Sequence, residues 1–324
     1  MIKAGIIGGS GYTGGELIRI VLNHPAVEID FVYSTTRAGK GLHTAHPDLF
    51  GLTDMQFTGT VNLEVDVVFL CLGHGNSSQF LLENNFSEKT VIIDLSNDFR
   101  LQADANFNGK QFVYGLPELN TSDIEYAQYI ANPGCFATAI QLALLPLAKA
   151  GKLSDKIHVN AVTGSTGAGI SPTDTSHFSW RSNNVSWYKP FTHQHLGEIN
   201  ESLRSFQQPI GELFFLPNRG NFTRGIFATA YTDFSGSLED AKSLFKEYYS
   251  DAIFTHVSEE PISLKQVVNT NNCHIHLHKH NDTLLITSAI DNLLKGASGQ
   301  AVQNMNLILG LEENLGLNLK AGVF

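Results

Sequence analysis

The hydrophobic positions of this chain fall into two regimes. Over the first hundred residues, short apolar runs at 4–8, 28–34, 65–72 and 91–95 alternate with helical patterns at 14–23 and 77–84. Short runs rich in Val, Ile and Phe, separated by helices, predict buried parallel strands joined by crossovers, which is a doubly wound α/β unit. After Cys135 the pattern lengthens. Residues 136–150 read as one apolar helix ended by Gly151. Alternating stretches at 157–163, 213–216, 225–234 and 273–280 predict strands of a mixed or antiparallel sheet, so a second domain begins near Cys135. A helix from Ser237 to about residue 249 has Ser237 as N-cap and the Asp240 carboxylate at N3. Its Ala241, Leu244, Phe245 and Tyr248 share one face, as in a cover for a sheet. A last helix is expected over 298–311, after the Gly296-Ala297 break.

Size and charge narrow the function classes. At 324 residues the chain exceeds one small core and favours two domains. Its 42% hydrophobic and 16% charged residues suit a well-buried globular protein. A formal net charge of -10 with no basic run leaves no electrostatic footprint for nucleic acid or an anionic membrane surface. An anionic small-molecule substrate would be met by a few placed arginines. The chain opens on a strand that runs directly into a glycine loop, without the pattern of a signal peptide, and no apolar run approaches the roughly 20 residues that span a bilayer. A cytoplasmic protein is expected. The three cysteines, Cys71, Cys135 and Cys273, are odd in number and lack Cys-x-x-Cys spacing, so free thiols are expected rather than a disulfide framework or a zinc site.

Five stretches carry candidate chemistry. Gly9-Ser10-Gly11-Tyr12-Thr13-Gly14 satisfies G-x-G-x-x-G between the first strand and a helix starting at about Thr13, where close backbone approach and free helix amides suit a pyrophosphate. The second strand ends in Tyr33-Ser34-Thr35-Thr36-Arg37, with hydroxyls and an arginine where an NAD enzyme would carry an acid, and this favours NADP. Cys135 follows Asn132-Pro133-Gly134 at the start of the apolar helix, where amides and the macrodipole favour a thiolate nucleophile. Cys71 and Cys273 lie inside strand patterns and read as small hydrophobes. The run His193-Gln194-His195-Leu196-Gly197-Glu198 offers a proton shuttle oriented by Glu198 or by the other histidine, and it equally fits a structural pair. An extended chain there would point both imidazoles the same way, and a helix starting at Leu196 would put Glu198 in its first turn. Arg100, Arg219 and Arg224 sit in loops rich in turn formers and are candidate anion grips. The alternation of His274, His276, His278 and His280 lines them along one strand face, which fits a solvated or subunit-contact surface better than converging metal ligands, so no metal is expected.

Taken in order, residues 8–17 (GGSGYTGGEL), 94–100 (DLSNDFR), 114–118 (YGLPE), 132–138 (NPGCFAT), 193–199 (HQHLGEI), 223–226 (TRGI) and 289–306 (AIDNLLKGASGQAVQNMN) resemble the N-acetyl-gamma-glutamyl-phosphate reductases, relatives of aspartate-semialdehyde dehydrogenase. The family commonly has Arg after the first histidine and Pro before the glutamate, where this chain has Gln194 and Gly197. The resemblance implies an α/β fold with a Rossmann NADP-binding domain (1–133 and 298–324). It also implies an α+β catalytic and oligomerisation domain with a mixed sheet (134–297), and a homodimer or homotetramer. It implies NADPH-dependent reductive dephosphorylation of N-acetyl-gamma-glutamyl phosphate to the semialdehyde through a cysteine thioester, in arginine biosynthesis, with an N-succinyl-glutamyl, aminoadipyl or aspartyl phosphate as alternative substrate. Carried onto matching positions, it makes Cys135 the nucleophile and His195 the acid/base, and gives Arg100, His193 and Glu198 to substrate. Cofactor contacts would come from residues 10–13, Ser34, Arg37, Gly73, His74, Gly75 and Asn292.

Overall fold

The structure is a computed structural model that describes residues 1–322. The chain divides into two compact units, one formed by Met1–Gly134 with Ala297–Asn318 and the other beginning at Cys135 and running to Gly296. Residues 319–322 group with the second unit, where the Gly322 amide donates to the Val268 carbonyl at 3.2 Å. The last two residues of the expected 298–324 segment lie outside the described residues. No helix among the described residues is long and apolar enough to cross a membrane.

The first unit is built on a seven-stranded sheet. Its strands are β1 (Ile2–Ile7), β2 (Val27–Tyr33), β3 (Val67–Leu70), β4 (Val91–Asp94), β5 (Asn106–Phe107), β6 (Lys110–Tyr114) and β7 (Tyr129–Ala131), in the order β2-β1-β3-β4-β7-β6-β5. All pairings are parallel except β5 with β6. Every residue of β3 and β4 is buried, as the near-continuous apolar runs require when both faces of a parallel sheet are covered. Helices α1 (Tyr12–Val21), α2 (Ser77–Glu83) and α3 (Pro117–Glu125) belong to this unit. Residues 110–131, which the sequence pattern left without elements, supply β6, α3 and β7. The closing helix, Gly299–Ile308, is shorter than the 298–311 expected, because Leu294–Ser298 winds as a π-helical turn ahead of it and Gly310, at φ +64, turns the chain off its end. Its buried amides bond within the unit. Asn304 Nδ2 donates to the Gly115 carbonyl (2.9 Å) and to Asn132 Oδ1 (3.1 Å), while Asn306 Oδ1 lies 3.2 Å from His24 Nε2.

The second unit carries the mixed sheet. In chain order it contains α4 (Cys135–Lys149), β8 (Ile157–Thr163), α5 (Phe178–Arg181), β9 (Ser186–Trp187), α6 (His195–Phe206), β10 (Leu213–Arg219), β11 (Ile226–Asp233), α7 (Leu238–Tyr248), β12 (Thr255–Ser258), β13 (Cys273–His280) and β14 (Thr283–Ile290). The sheet order is β12-β13-β14-β11-β8-β10-β9, with parallel β8/β10 and β12/β13 pairs among antiparallel ones. α4 is buried throughout residues 136–148, so it forms the centre of this unit's core against α6 and the sheet. The Ser237 N-cap and Asp240 close a full capping box on α7. In β13 the odd positions Cys273, Ile275 and Leu277 are buried and the intervening histidines are not, as alternation requires. β14 follows β13 through a two-residue turn, Asn281-Asp282 with Asn281 at φ +51, and is a strand that was not picked out from the sequence.

Candidate active site

In the second unit the chemistry gathers around the first turn of α4. Cys135 is the first residue of the helix, half-buried, with the orphan amides of the helix start beside it. Gly296 clears the space next to it, since a Cβ there would stand 2.8 Å from Cys135 Cβ. The next residue, Phe136, is an edge partner of three rings, His193 (5.5 Å), His195 (6.3 Å) and Phe215 (5.2 Å between centroids). Tyr188 ties the thiol to this cluster, since its phenol feels the charge of Cys135 and its ring stands 5.8 Å from that of His193.

The two histidines have distinct states. Their rings stand 4.6 Å apart at 76°. They do not sit on an extended strand: His195 is the first residue of α6, and the Leu196 amide closes a turn onto the His193 carbonyl. His193 Nδ1 accepts the His195 backbone N–H at 3.2 Å, so the neutral ring carries its proton on Nε2. Burial, helped by the charge of Lys189, pushes His193 down to about 4, and it is neutral near pH 7. His195 Nε2 lies 3.9 Å from Glu198 Oε1, one helical turn on, and both side chains are buried. A cation at a helix N-terminus opposes the macrodipole, and the Glu198 carboxylate in the same first turn offsets that cost.

Arg219 and Arg224, two of the three arginines offered as anion grips, have different partners. The Arg219 guanidinium stands over the Tyr188 ring at 4.6 Å. Arg224 forks Asp291 instead, Nε to Oδ2 at 3.0 Å and Nη2 to Oδ1 at 3.2 Å, and that buried carboxylate also accepts the amides of Asn269, Leu293 and Leu294. Asn292 is engaged within the same unit, accepting the Gly225 amide at 2.6 Å and donating to Thr166 Oγ1 at 3.1 Å.

Two residues at this pocket had not been singled out from sequence. Tyr188 sits 5.8 Å from the His193 ring, and burial first, then the negative charge of a Cys135 thiolate, pushes its phenol up to about 12. Arg181 is buried, donates to the Arg219 carbonyl (2.6 Å) and to Ser186 Oγ (3.0 Å), and is disfavoured as a cation by burial and by neighbouring Arg219. The Nε atoms of both arginines have no hydrogen-bond partner among the described residues. The only sequence signal for either is aromatic crowding in Ser179-Trp180-Arg181 and Trp187-Tyr188, which carries no period.

The first unit holds the glycine loop. Gly8, at φ +77, turns the chain off β1, and the Gly8 and Gly9 amides both bond to the Tyr33 carbonyl. A Cβ on Gly9 would overlap Val32 Cγ1, and one on Gly14 would stand 2.6 Å from the Gly9 Cα. Gly11, in contrast, faces open space, with only the Gly8 carbonyl oxygen within 4 Å of where its Cβ would be. The amides of Ser10, Tyr12 and Thr13 find no acceptor among the described residues. This cradle of outward amides fits a pyrophosphate. Ser34 Oγ donates to Ser10 Oγ at 3.3 Å, and Arg37 Nη1 to the Thr44 carbonyl at 2.9 Å.

The Gly73-His74-Gly75 turn is fixed by the 94–100 run. Asp98 accepts the Gly75 amide (2.6 Å) and the Ser78 amide (3.0 Å), and His74 Nδ1 accepts from Asn97. Beneath it Asp94, pushed up to about 6 by burial, accepts from Ser77 Oγ (2.5 Å) and Ser96 Oγ (2.6 Å). Arg100 donates to the Asn132 carbonyl (2.8 Å) and the Leu95 carbonyl (3.0 Å), so it braces the segment that precedes Cys135. Cys71 is removed from consideration as a nucleophile, because burial pushes its thiol up to about 12. Among the described residues no group of three or more His, Cys, Asp or Glu could hold a metal ion.

Comparison with known proteins decides the family. Over its whole length the chain is 64% identical to the N-acetyl-gamma-glutamyl-phosphate reductase of Christiangramia forsetii and 62% identical to that of Flavobacterium johnsoniae, covering 100% of each relative. The chain belongs to the N-acetyl-gamma-glutamyl-phosphate reductase family. Residues 3–127 match the NAD binding domain of semialdehyde dehydrogenases and residues 135–292 match their dimerisation domain. Like other members of this family it is an oxidoreductase. Its fold is shared with aspartate semialdehyde dehydrogenase II of Vibrio cholerae, solved in complex with ASA (TM-score 0.70, 18% identity, 96% of this chain and 98% of that one). It is shared equally with the Candida albicans aspartate semialdehyde dehydrogenase solved with NADP (TM-score 0.70, 18% identity, 97% and 99%).

Proposed function

We propose that this oxidoreductase carries out NADPH-dependent reductive dephosphorylation of N-acetyl-gamma-glutamyl phosphate to N-acetylglutamate semialdehyde, a step of arginine biosynthesis. The first unit takes the cofactor and the second does the chemistry. The observation that carries the reading is Cys135 at the start of α4, with the next side chain, Phe136, against both imidazoles.

In this reading the Cys135 thiolate attacks the acyl carbonyl, helix amides at the start of α4 receive the developing oxyanion, and phosphate leaves to give a thioester. NADPH, when bound, supplies the hydride that reduces this thioester. Collapse of the Cys135 hemithioacetal releases the aldehyde and returns the sulfur as thiolate, with His195 taking and giving the proton. His193 is unsuited to that exchange, being held neutral with Nδ1 already occupied. It acts as a fixed Nε2 donor toward substrate. Glu198 steadies His195 in its protonated form. Arg219, backed by Arg181, meets an anionic group of the substrate, and Arg100 holds the strand end before the thiol. Arg224, balanced by Asp291, keeps the 223–226 turn in place. The Ser10, Tyr12 and Thr13 amides with Gly9, Gly11 and Gly14 would hold the cofactor pyrophosphate and Ser34 and Arg37 its 2′-phosphate, while Gly73, His74, Gly75 and Asn292 are proposed as further cofactor contacts. The match to a dimerisation domain supports a homodimer or homotetramer.

The test is phosphate-dependent reduction of NADP with N-acetyl-, N-succinyl-glutamate and aspartate semialdehydes, each repeated with NAD. The expected result is preference for the N-acetyl substrate with NADP. A preference for the N-succinyl or aspartyl compound would reassign the substrate.

A further inference from the structure

A buried histidine lies under the glycine loop and takes no part in the steps above. His46 Nε2 stands 2.8 Å from the Gly9 carbonyl oxygen, and since a carbonyl only accepts, Nε2 carries the proton. Burial lowers the pKa of the ring, against the pull of that bond, and the neutral Nε2–H form still donates. The imidazole packs near Phe57 (6.5 Å between centroids) and against Gly15 of α1, where a Cβ would overlap His46 Cε1. The segment that carries it is fastened on both sides. Arg19 forks Asp48 at 2.6 and 2.5 Å, and Arg37 donates to the Thr44 carbonyl.

We propose that His46 is a positioning residue for the cofactor pyrophosphate, holding the Gly9–Ser10 peptide with its carbonyl turned inward so that the Ser10 N–H faces the phosphates. The inference rests on the dinucleotide reading of the glycine loop given above. In a planar trans peptide C=O and N–H point in opposite directions, so pinning one aims the other. Glycine makes rotation of this peptide cheap, and a rotated peptide would present a carbonyl oxygen to an anion. The pin stands at the loop position where the backbone is least restrained by its own side chain. Because the same segment receives Arg37, it also links the pyrophosphate loop to the residue assigned to the 2′-phosphate.

The experiment is calorimetric titration of the full chain and its His46→Leu and His46→Gln variants with NADPH and with adenosine 2′-monophosphate, which has no pyrophosphate. His46→Leu, which lacks the donor, is expected to weaken NADPH about tenfold while adenosine 2′-monophosphate stays within about twofold. His46→Gln, whose side-chain amide can reach the place of Nε2, is expected to recover most of the NADPH affinity. Gly15→Ala favours the helix but pushes on the ring, and it should weaken NADPH with the same selectivity even if His46→Leu does not fold. Unchanged NADPH affinity in His46→Leu and Gly15→Ala, or equal weakening of both ligands, would overturn the inference. Failure of the unaltered chain to bind NADPH would overturn the dinucleotide reading and the inference with it.

Discussion

In the glycine loop the groups offered to a ligand are backbone amides, and the side chains around them are there to be absent or to hold the backbone still. In the pocket around Cys135 the offered groups are side chains, and the backbone serves by starting two helices, α4 and α6, with a thiol and an imidazole at their first positions. The first arrangement tolerates little change in shape because Gly9 and Gly14 are packed to contact. The second tolerates little change in chemistry because burial has already assigned protonation states to His193 and Tyr188. Binding and bond-making are thus exposed to different kinds of substitution, and each can be removed without the other.

The widest separation is expected from Cys135→Ala. Turnover should fall by a factor on the order of 10^4 or more while calorimetry returns the NADPH affinity of the unaltered protein. Residual turnover near the starting value would remove Cys135 from the nucleophile role. His195→Asn should lower kcat by about 10^2 to 10^4 and flatten the limb of the pH–rate profile that reports the shuttle. A full-shape profile in that variant would hand the role to another group. Gly9→Ala reverses the pattern. Overlap with Val32 should cost about 1–3 kcal/mol in thermal or urea unfolding and impair NADPH binding, while iodoacetamide still alkylates Cys135 at its former rate. Arg37→Ala should weaken NADPH about tenfold and leave NADH unaffected, as read by titration of both.

The smallest effect is a pH dependence confined to the cysteine pocket. His193 has its folded pKa lowered from 6.5 to about 4, so the unfolded chain binds the proton more tightly in that window. Its contribution to stability is complete above about pH 6.5 and is lost as the pH falls toward 4. His193→Asn, which keeps an acceptor for the His195 amide, should flatten urea-unfolding stability across that interval. An unchanged slope would mean that His193 is protonated in the folded protein.

What could be read from the chain follows the same division. The glycine loop was legible because its requirement is local: a strand, a tight turn and a helix start occupy consecutive residues, and no distant partner alters them. Strands 157–163 and 273–280 were legible because burial on one side imposes a period. The start of α6 was legible to within one residue, with Glu198 in its first turn as a helix from Leu196 would place it, but the run of histidines gave no sign that His195 itself enters the helix. Arg224 and Arg219 look alike in sequence, and only their partners distinguish them, Asp291, 67 residues away, for Arg224 and Tyr188 for Arg219. Tyr188 and Arg181 were silent because their importance is conferred by neighbours from other elements. Asp98 shows the intermediate case: its carboxylate organises a turn 20 to 23 residues earlier, which a motif can suggest and only packing can specify.

The buried amides of the closing helix have a consequence for how the protein is made. The first unit is assembled from residues at both ends of the chain, and Asn304 and Asn306 fill hydrogen-bonding positions beside Gly115, Asn132 and His24. On a ribosome, the strands through β7 emerge early yet lack these partners until the closing helix has been made. The second unit, whose continuous span ends at Gly296, has most of its sequence available sooner. The unit begun first thus waits on the closing helix for its buried hydrogen-bond partners. Arrest of translation ahead of the closing helix should leave a nascent chain whose amino-terminal half is the protease-sensitive part.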